Sequence, residues 1–318
     1  MTPSLFNRRL SMPLSTFTTL RAGGMAHQLY VPKTVDELVE LVAPMQLEGP
    51  RPIILGWGSN VLPSDRAFYE PVVINLCRAI EFEDDGRVVC DTGYGFQDLC
   101  LATLKRGLRG LEFAVGIPGT VGGALVSNAG AYRSNVSEFV TGIEILEGGE
   151  RKWVDPSWMN FSYRDSAMRS LDPPPVVLLR VALKLPKGDI FQGFEEARDY
   201  QRQRISKQPP PASAGSFFKN VLSESLARSL PTLPEPLKKA GVVPAGYLLE
   251  NVDMRGFRHR GAMFSNRHAN FLINARSATA TDLRRLADIA KARVMSAYEV
   301  ELEEEVLFIG DWSDYQPR

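Results

Sequence analysis

The sequence predicts an α+β protein of two or three domains, on three observations. Its 318 residues exceed what one simple core accommodates. Short runs rich in β-branched residues recur through the first half, with helical stretches between them. The second half mixes short helices, short strands and one long helix with an apolar face.

The elements follow in order. Thr34-Val-Asp-Glu37 is a capping-box pattern that opens a helix with Val35, Leu38, Leu41 and Val42 on one face. Residues 52–55 read as a strand, completing a small α/β unit. Strands are predicted at 72–76 and 87–91, a helix at 96–106, and strands at 140–147, 151–154 and 176–185, with Asp172-Pro-Pro-Pro175 as a rigid surface turn. Residues 192–206 read as a solvated charged helix carrying Arg198, Arg202 and Arg204. Pro209-Pro-Pro211 marks a boundary. Beyond it come helices near 223–229 and 244–250, and strands near 262–264 and 270–273. The long helix from Thr281 to Tyr298 has Leu283, Leu286, Ile289 and Ala290 at core spacing. A last strand, 305–309, follows an acidic cluster.

Composition excludes several classes. Formal net charge is zero, which favours neither nucleic acid nor an anionic membrane. No apolar run reaches the roughly 18 residues a membrane helix needs, and the N-terminus does not read as a signal peptide. Cys77, Cys90 and Cys100 have no metal or redox spacing and are expected as buried thiols of a reducing cytosol. His27, His259 and His268 are scattered, so no metal site is expected.

Two glycine-rich segments carry the functional signal. Residues 110–132 hold Gly110, Gly116, Gly119, Gly122, Gly123 and Gly130, with Glu112 as the one acid. Such density implies close backbone approach or positive φ, and donors that are backbone N–H groups. Upstream, Ile53-Ile-Leu-Gly-Trp-Gly-Ser-Asn-Val-Leu62 is an apolar run opening into Gly-x-Gly-Ser-Asn. The pair points to an extended, multi-phosphate or dinucleotide ligand. Neither segment fits the P-loop or the Rossmann fingerprint.

These segments, with Thr18-Thr-Leu-Arg-Ala-Gly-Gly24, Tyr163-Arg-Asp-Ser166, Ser213-Ala-Gly-Ser-Phe-Phe-Lys-Asn220, His268-Ala-Asn-Phe271 and Glu305-Val-Leu-Phe-Ile-Gly310, resemble the shorter subclass of the UDP-N-acetylenolpyruvoylglucosamine reductase family over nearly the whole chain. The resemblance implies a PCMH/VAO-type flavin-binding half of two subdomains, 1–75 and 76–203, with FAD between them. It implies a substrate-binding α+β domain, 204–302, that closes over the flavin ring, and a strand and tail, 303–318, returning to the active site. It implies noncovalent FAD, NADPH as reductant and a UDP-sugar substrate in peptidoglycan precursor synthesis. The protein is then expected to be cytoplasmic, with a monomer favoured.

The resemblance also assigns residues. Gly56, Gly58, Ser59, Asn60, Gly116, Ile117, Gly119, Thr120, Gly122, Gly123 and Ala129 would bind FAD. Arg164 would grip the enolate carboxylate, for which a permanently charged, bidentate guanidinium is suited. Ser216 would deliver a proton to carbon. Glu305, expected at the mouth of a buried strand with its pKa raised by desolvation, would assist enolate stabilisation. Tyr132, Tyr163, Lys207 and Asn220 would contact substrate, and Arg21 would contact the flavin or fix its loop. Structural alternatives stand beside these: an Arg164–Asp165 surface pair, a turn role for Ser216, and packing roles for the tyrosines.

The sequence departs from the family pattern at Trp57 and Arg133, where glycine is usual, and at Val221 and Glu304, where proline is usual. Leu307 stands in place of an arginine. Two other readings are a sugar or alcohol oxidase of the same superfamily and a noncatalytic relative that binds flavin or a UDP-sugar. No histidine lies in either glycine-rich segment, which disfavours the covalently tethered oxidases.

Overall fold

The computed structural model describes residues 9–209 and 212–317, so Pro210 and Pro211 of the expected boundary lie outside the described residues. The chain divides into two compact units. The first comprises the described part of Met1–Met12, with Ala26–Gly58 and Phe68–Ser206; the second comprises Pro13–Met25, Ser59–Ala67 and Lys207–Arg318. The α+β class expected from the sequence holds.

In the first unit, helix α1 spans Val35–Glu48, with the Thr34 side chain accepting the Glu37 N–H at 3.2 Å. The reciprocal bond differs from the expected box: Glu37 takes the Lys33 N–H at 2.7 Å. A parallel ladder orders Met25–Tyr30, Val72–Ile74 and Ile53–Leu55, with Arg9–Pro13 at its edge. An antiparallel sheet orders Glu150–Val154, Val140–Glu147, Val176–Lys184, Arg87–Asp91 and Ile80–Phe82. The buried face of α1, Val35, Leu38, Leu41 and Val42, packs on Val73 of the ladder and on Leu146, Val177 and Leu179 of the sheet. One helix thus supplies a core to both sheets, which is why its apolar stripe is legible.

Helices α2 (Phe96–Leu104) and α3 (Val121–Val126) share a second core with the inner face of the antiparallel sheet. Helix α4, Ile190–Lys207, contributes Ala197 to it. All three cysteines are buried free thiols. Burial pushes Cys77 and Cys100 up to about 12, so they are unreactive.

In the second unit, α5 (Glu224–Ser229), α6 (Glu235–Ala240), α7 (Ala245–Asn251) and α8 (Ala280–Tyr298) surround one core with a small sheet of Arg258–His259, Ala262–Phe264 and Leu272–Asn274. Ala280, Leu283, Leu286, Ala287, Ala290 and Val294 form the buried stripe of α8. Asp65 caps α8 by accepting the Ala280 and Thr281 N–H groups, each at 2.8 Å. Leu307–Ile309 pairs in parallel with Val61–Pro63. Among the described residues, no helix is long and apolar enough to cross a membrane.

Candidate active site

The glycine-rich segment 110–132 is folded on itself, not left as an open row of donors. Thr120 caps α3, accepting the Gly123 N–H at 3.3 Å. The Val121 and Gly122 N–H groups go to Tyr94 and Thr92 carbonyls, Ile117 to Ala114, and Ala129 to Ala124. Gly116 N–H goes to Gln97 Oε1 at 2.7 Å. Gly122 and Gly123 are helical, while Gly110, Gly116 and Gly119 take positive φ. Glu112, the one acid of the segment, is buried and binds Arg109 and the Gly110 N–H.

The two glycine-rich segments meet. A Cβ on Gly56 would lie 2.3 Å from Thr120 Oγ1, so only glycine permits this approach. Gly58 has φ +60°. The Trp57 indole lies beside α2: a Cβ on Gly95 would sit 3.1 Å from its ring, and the Arg78 guanidinium is 5.9 Å over it. Ser59 and Asn60 belong to the second unit, where Asn60 Nδ2 donates to the Glu305 carbonyl at 3.1 Å.

Arg164 and Tyr132 both hold positive φ, +54° each, and Arg133 has +67°. Left-handed backbone at non-glycine residues is strained and clusters at functional positions; at Arg133 a glycine would hold it without strain. Arg164 Nη2 donates to the Gly130 carbonyl, and its guanidinium lies 5.5 Å over the Tyr163 ring. The 163–166 turn is fastened to the end of α3 by Ser166 Oγ to the Val126 carbonyl and Asn128 Nδ2 to the Ser162 carbonyl. Tyr132 stacks on Tyr200 of α4, with ring centroids 3.8 Å apart, and donates its hydroxyl proton to the Tyr200 carbonyl.

Arg204, read from sequence as part of a solvated face, is half-buried. Its Nη2 donates to the Phe113 carbonyl at 3.2 Å and its guanidinium lies 5.7 Å over Tyr132. Burial lowers its pKa, with the nearby Arg164 charge acting in the same direction. Among the described residues its Nε is buried without a hydrogen-bond partner. Helical periodicity could not reveal this, because α4 ends against a loop rather than a sheet.

In the second unit, the extended segment 217–219 after Ser216 is gripped from both sides. Asn270 accepts the Phe217 and Phe218 N–H groups through its carbonyl and Oδ1, and its Nδ2 donates to the Phe218 carbonyl. On the other side, Lys219 N–H donates to the Glu303 carbonyl and Glu305 N–H to the Phe217 carbonyl, both at 2.8 Å. Glu305 is thereby bonded to Phe217, the residue after Ser216, and both Ser216 and Glu305 are half-buried. The strand after Glu305, Leu307–Ile309, is half-buried and not the buried strand expected. In the acidic run Glu299, Glu301 and Glu303 are exposed, Glu303 pairing with Lys219, while Glu304 is half-buried and pairs with Lys291 at 3.1 Å.

Asn220 Oδ1 accepts the Ala245 N–H at the start of α7. Lys207 is exposed at the end of α4. Arg21 has φ +52°, and Asn274 Nδ2 bonds its carbonyl and that of Leu20. His268 accepts the Asn270 N–H through Nδ1, and burial lowers its pKa. Sequence reasoning gave Asn270 no role beyond its place in the His268–Phe271 block and gave Asn274 none, because each bonds carbonyls remote in the chain.

The glycine contact between the two segments, together with an unsatisfied cationic donor beside segment 113–132, fits a flavin dinucleotide: bare backbone for the cofactor's body and an Arg204 N–H for an acceptor. Among the described residues, no His, Cys, Asp or Glu group is arranged for a metal ion.

The chain is similar to known proteins over most of its length. Residues 26–153 match the family described as "FAD binding domain", and residues 205–309 match "UDP-N-acetylenolpyruvoylglucosamine reductase, C-terminal domain". The chain is 32% identical to the UDP-N-acetylenolpyruvoylglucosamine reductase of Bacillus pumilus, over 94% of this chain and 93% of that one. It is 35% identical to that of a Synechococcus strain, over 95% and 91%. The crystal structure of the Thermus caldophilus UDP-N-acetylenolpyruvylglucosamine reductase matches with TM-score 0.74 at 28% identity, over 95% of this chain and all of that one.

Proposed function

The chain belongs to the UDP-N-acetylenolpyruvoylglucosamine reductase family, and from that premise we infer that it is an FAD-dependent UDP-N-acetylmuramate dehydrogenase. It uses NADPH to reduce UDP-N-acetylglucosamine enolpyruvate in peptidoglycan precursor synthesis. Bound FAD would supply the hydride chemistry between NADPH and the enolpyruvyl double bond, while this chain's residues bind, orient and move the proton.

We assign the protein's share of the chemistry to Arg164, Ser216 and Glu305. Arg164, tethered to the Gly130 carbonyl, holds the substrate carboxylate as negative charge builds on it. Ser216 gives its hydroxyl proton to the carbon next to that carboxylate. Glu305 stabilises the same enolate. The observation that supports this reading is the bond from Glu305 N–H to the carbonyl of Phe217, which follows Ser216 directly, although 88 positions separate the bonded residues (305 − 217).

Gly56, Gly58, Ser59, Asn60 and the 116–129 residues Gly116, Ile117, Gly119, Thr120, Gly122, Gly123 and Ala129 are assigned to FAD. Tyr132, Tyr163, Lys207 and Asn220 are assigned to the UDP-sugar. In the same reading, 1–75 and 76–203 serve the cofactor, 204–302 serve the substrate, and 303–318 return Glu305 to it. We take the enzyme to be cytoplasmic and monomeric; fractionation and light scattering test those two points.

The mechanism is tested by separating the half-reactions. Reduction of flavin by NADPH needs no proton on carbon, whereas reoxidation by the enolpyruvyl substrate does. Ser216→Ala is expected to leave the first near wild type and slow the second by about 10²–10⁴-fold. Stopped-flow absorbance of the flavin resolves the two, and equal slowing of both steps, or of neither, removes Ser216 from this role.

A further inference from the structure

We propose that the C-terminal tail, residues 310–317, is a clamp that positions Glu305, and that Arg284 of α8 is the positioning residue through which it acts. The proposal rests on the role given to Glu305 above.

Leu307–Ile309 is a three-residue strand with a single three-residue partner, Val61–Pro63, and so short a ladder has little stability of its own. The tail supplies what the ladder lacks. Trp312 Nε1 donates to the Ile309 carbonyl at 3.1 Å, and its ring lies 5.6 Å from Phe308. Tyr315 packs edge-on against Trp312 at 6.0 Å. One cation serves all three rings: the Arg284 guanidinium carbon is 4.9 Å from Phe308, 4.6 Å from Trp312 and 4.2 Å from Tyr315. Among the described residues Arg284 Nε is buried without a hydrogen-bond partner, so the ring faces stand where an ion pair would otherwise be expected.

The tail is tied down at further points. The Tyr315 hydroxyl bonds Asp288, one turn along α8 from Arg284. Arg285 Nη2 donates to the Gln316 carbonyl at 2.7 Å. Arg66 bridges to Asp311 at 2.6 Å, to Asp314 at 3.3 Å and to Ser313 Oγ at 2.8 Å.

The clamped strand leads directly to the acid. Phe308 lies 6.3 Å from Phe217, and Leu307 N–H donates to the Asn60 carbonyl. Asn60 Nδ2 returns a bond to the Glu305 carbonyl, and Glu305 N–H is held by Phe217. Both backbone polar groups of Glu305 are therefore fixed by neighbours that depend on where Leu307 and Phe308 sit. Releasing the aromatic stack lets that register drift, and displacements of about 1 Å at a reacting group cost about 10²-fold in rate.

Arg284→Met keeps the apolar stem and removes the cation. Measured on FAD-loaded enzyme by stopped flow, it should leave flavin reduction by NADPH unchanged and slow reoxidation by the enolpyruvyl substrate by about 10–100-fold. Arg284→Lys should recover most of the loss. In a Glu305→Gln background, Arg284→Met should add no further slowing, because the clamp acts through the acid already removed. Equal slowing of both half-reactions, or full slowing in the Glu305→Gln background, overturns the clamp. If Glu305→Gln itself leaves reoxidation at the wild-type rate, the role of Glu305 fails first; if it slows reoxidation and Arg284→Met does not, the clamp alone fails. Should Arg284→Met not fold, Tyr315→Phe removes only the hydroxyl bond to Asp288 and carries the same prediction at smaller amplitude.

Discussion

At the scale of single residues, the departures from the family pattern separate into harmless and strained. The Trp57 indole packs beside Gly95 and under the Arg78 guanidinium, so a bulky residue is accommodated. Arg133 instead takes left-handed backbone that glycine would hold without strain. Gly56 has no such latitude. Gly56→Ala places a methyl 2.3 Å from Thr120 Oγ1 and 2.9 Å from its Cγ2, and the threonine cannot turn freely because it caps α3. We expect a stability loss of about 1–3 kcal/mol and poor FAD retention, read as the flavin-to-protein absorbance ratio after desalting. Full retention would mean that this contact does not shape the cofactor site. The glycine signal was visible in sequence; its partner was not, because 64 positions separate Gly56 from Thr120 (120 − 56).

At the scale of elements, regular periodicity was readable and irregular folding was not. Strands 87–91 and 140–147 and helices α1 and α8 lie where β-branched runs and apolar stripes put them. Met25–Tyr30 escaped because Met-Ala-His-Gln-Leu-Tyr contains no β-branched residue. Helix α3 escaped because two of its six residues are glycines. The interior strand Val140–Glu147 also hides a buried acid. Glu144 is bonded by Arg151 Nε at 2.9 Å and Arg180 Nε at 2.5 Å. Burial raises its pKa, but the two guanidinium bonds outweigh this and the net shift is downward. A carboxylate depressed on folding adds stability that is present above its unfolded value near 4.5 and is lost as pH falls through the folded value. Glu144→Gln should therefore destabilise by about 3 kcal/mol at pH 7 and show a shallower decline below pH 4.5 in urea melts. A parallel decline in both proteins would mean that Glu144 does not set the acid limb.

At the scale of the whole molecule, the cofactor is a folding ligand as well as a reactant. FAD held without a covalent bond stabilises by mass action, about 2.7 kcal/mol at a hundredfold excess over its Kd. Removing it should lower the melting temperature, readdition should restore it, and denaturation should release all yellow colour into solution. Colour retained on the polypeptide would revive the tethered oxidases. The sequence by itself determined the fold class, the principal helices and strands and the family, because periodicity and motif spacing are local properties of a chain. Only the tertiary structure decided that Thr92, Tyr94 and Gln97 take N–H groups of segment 110–132, that Arg204 is half-buried against it, that Asn270 holds the residues after Ser216 and Asn60 the carbonyl of Glu305, and that the tail stacks on Arg284. Each of those is a contact between residues distant in the chain, fixed by packing and by the need to satisfy buried polar groups, and neither leaves a periodic trace in sequence.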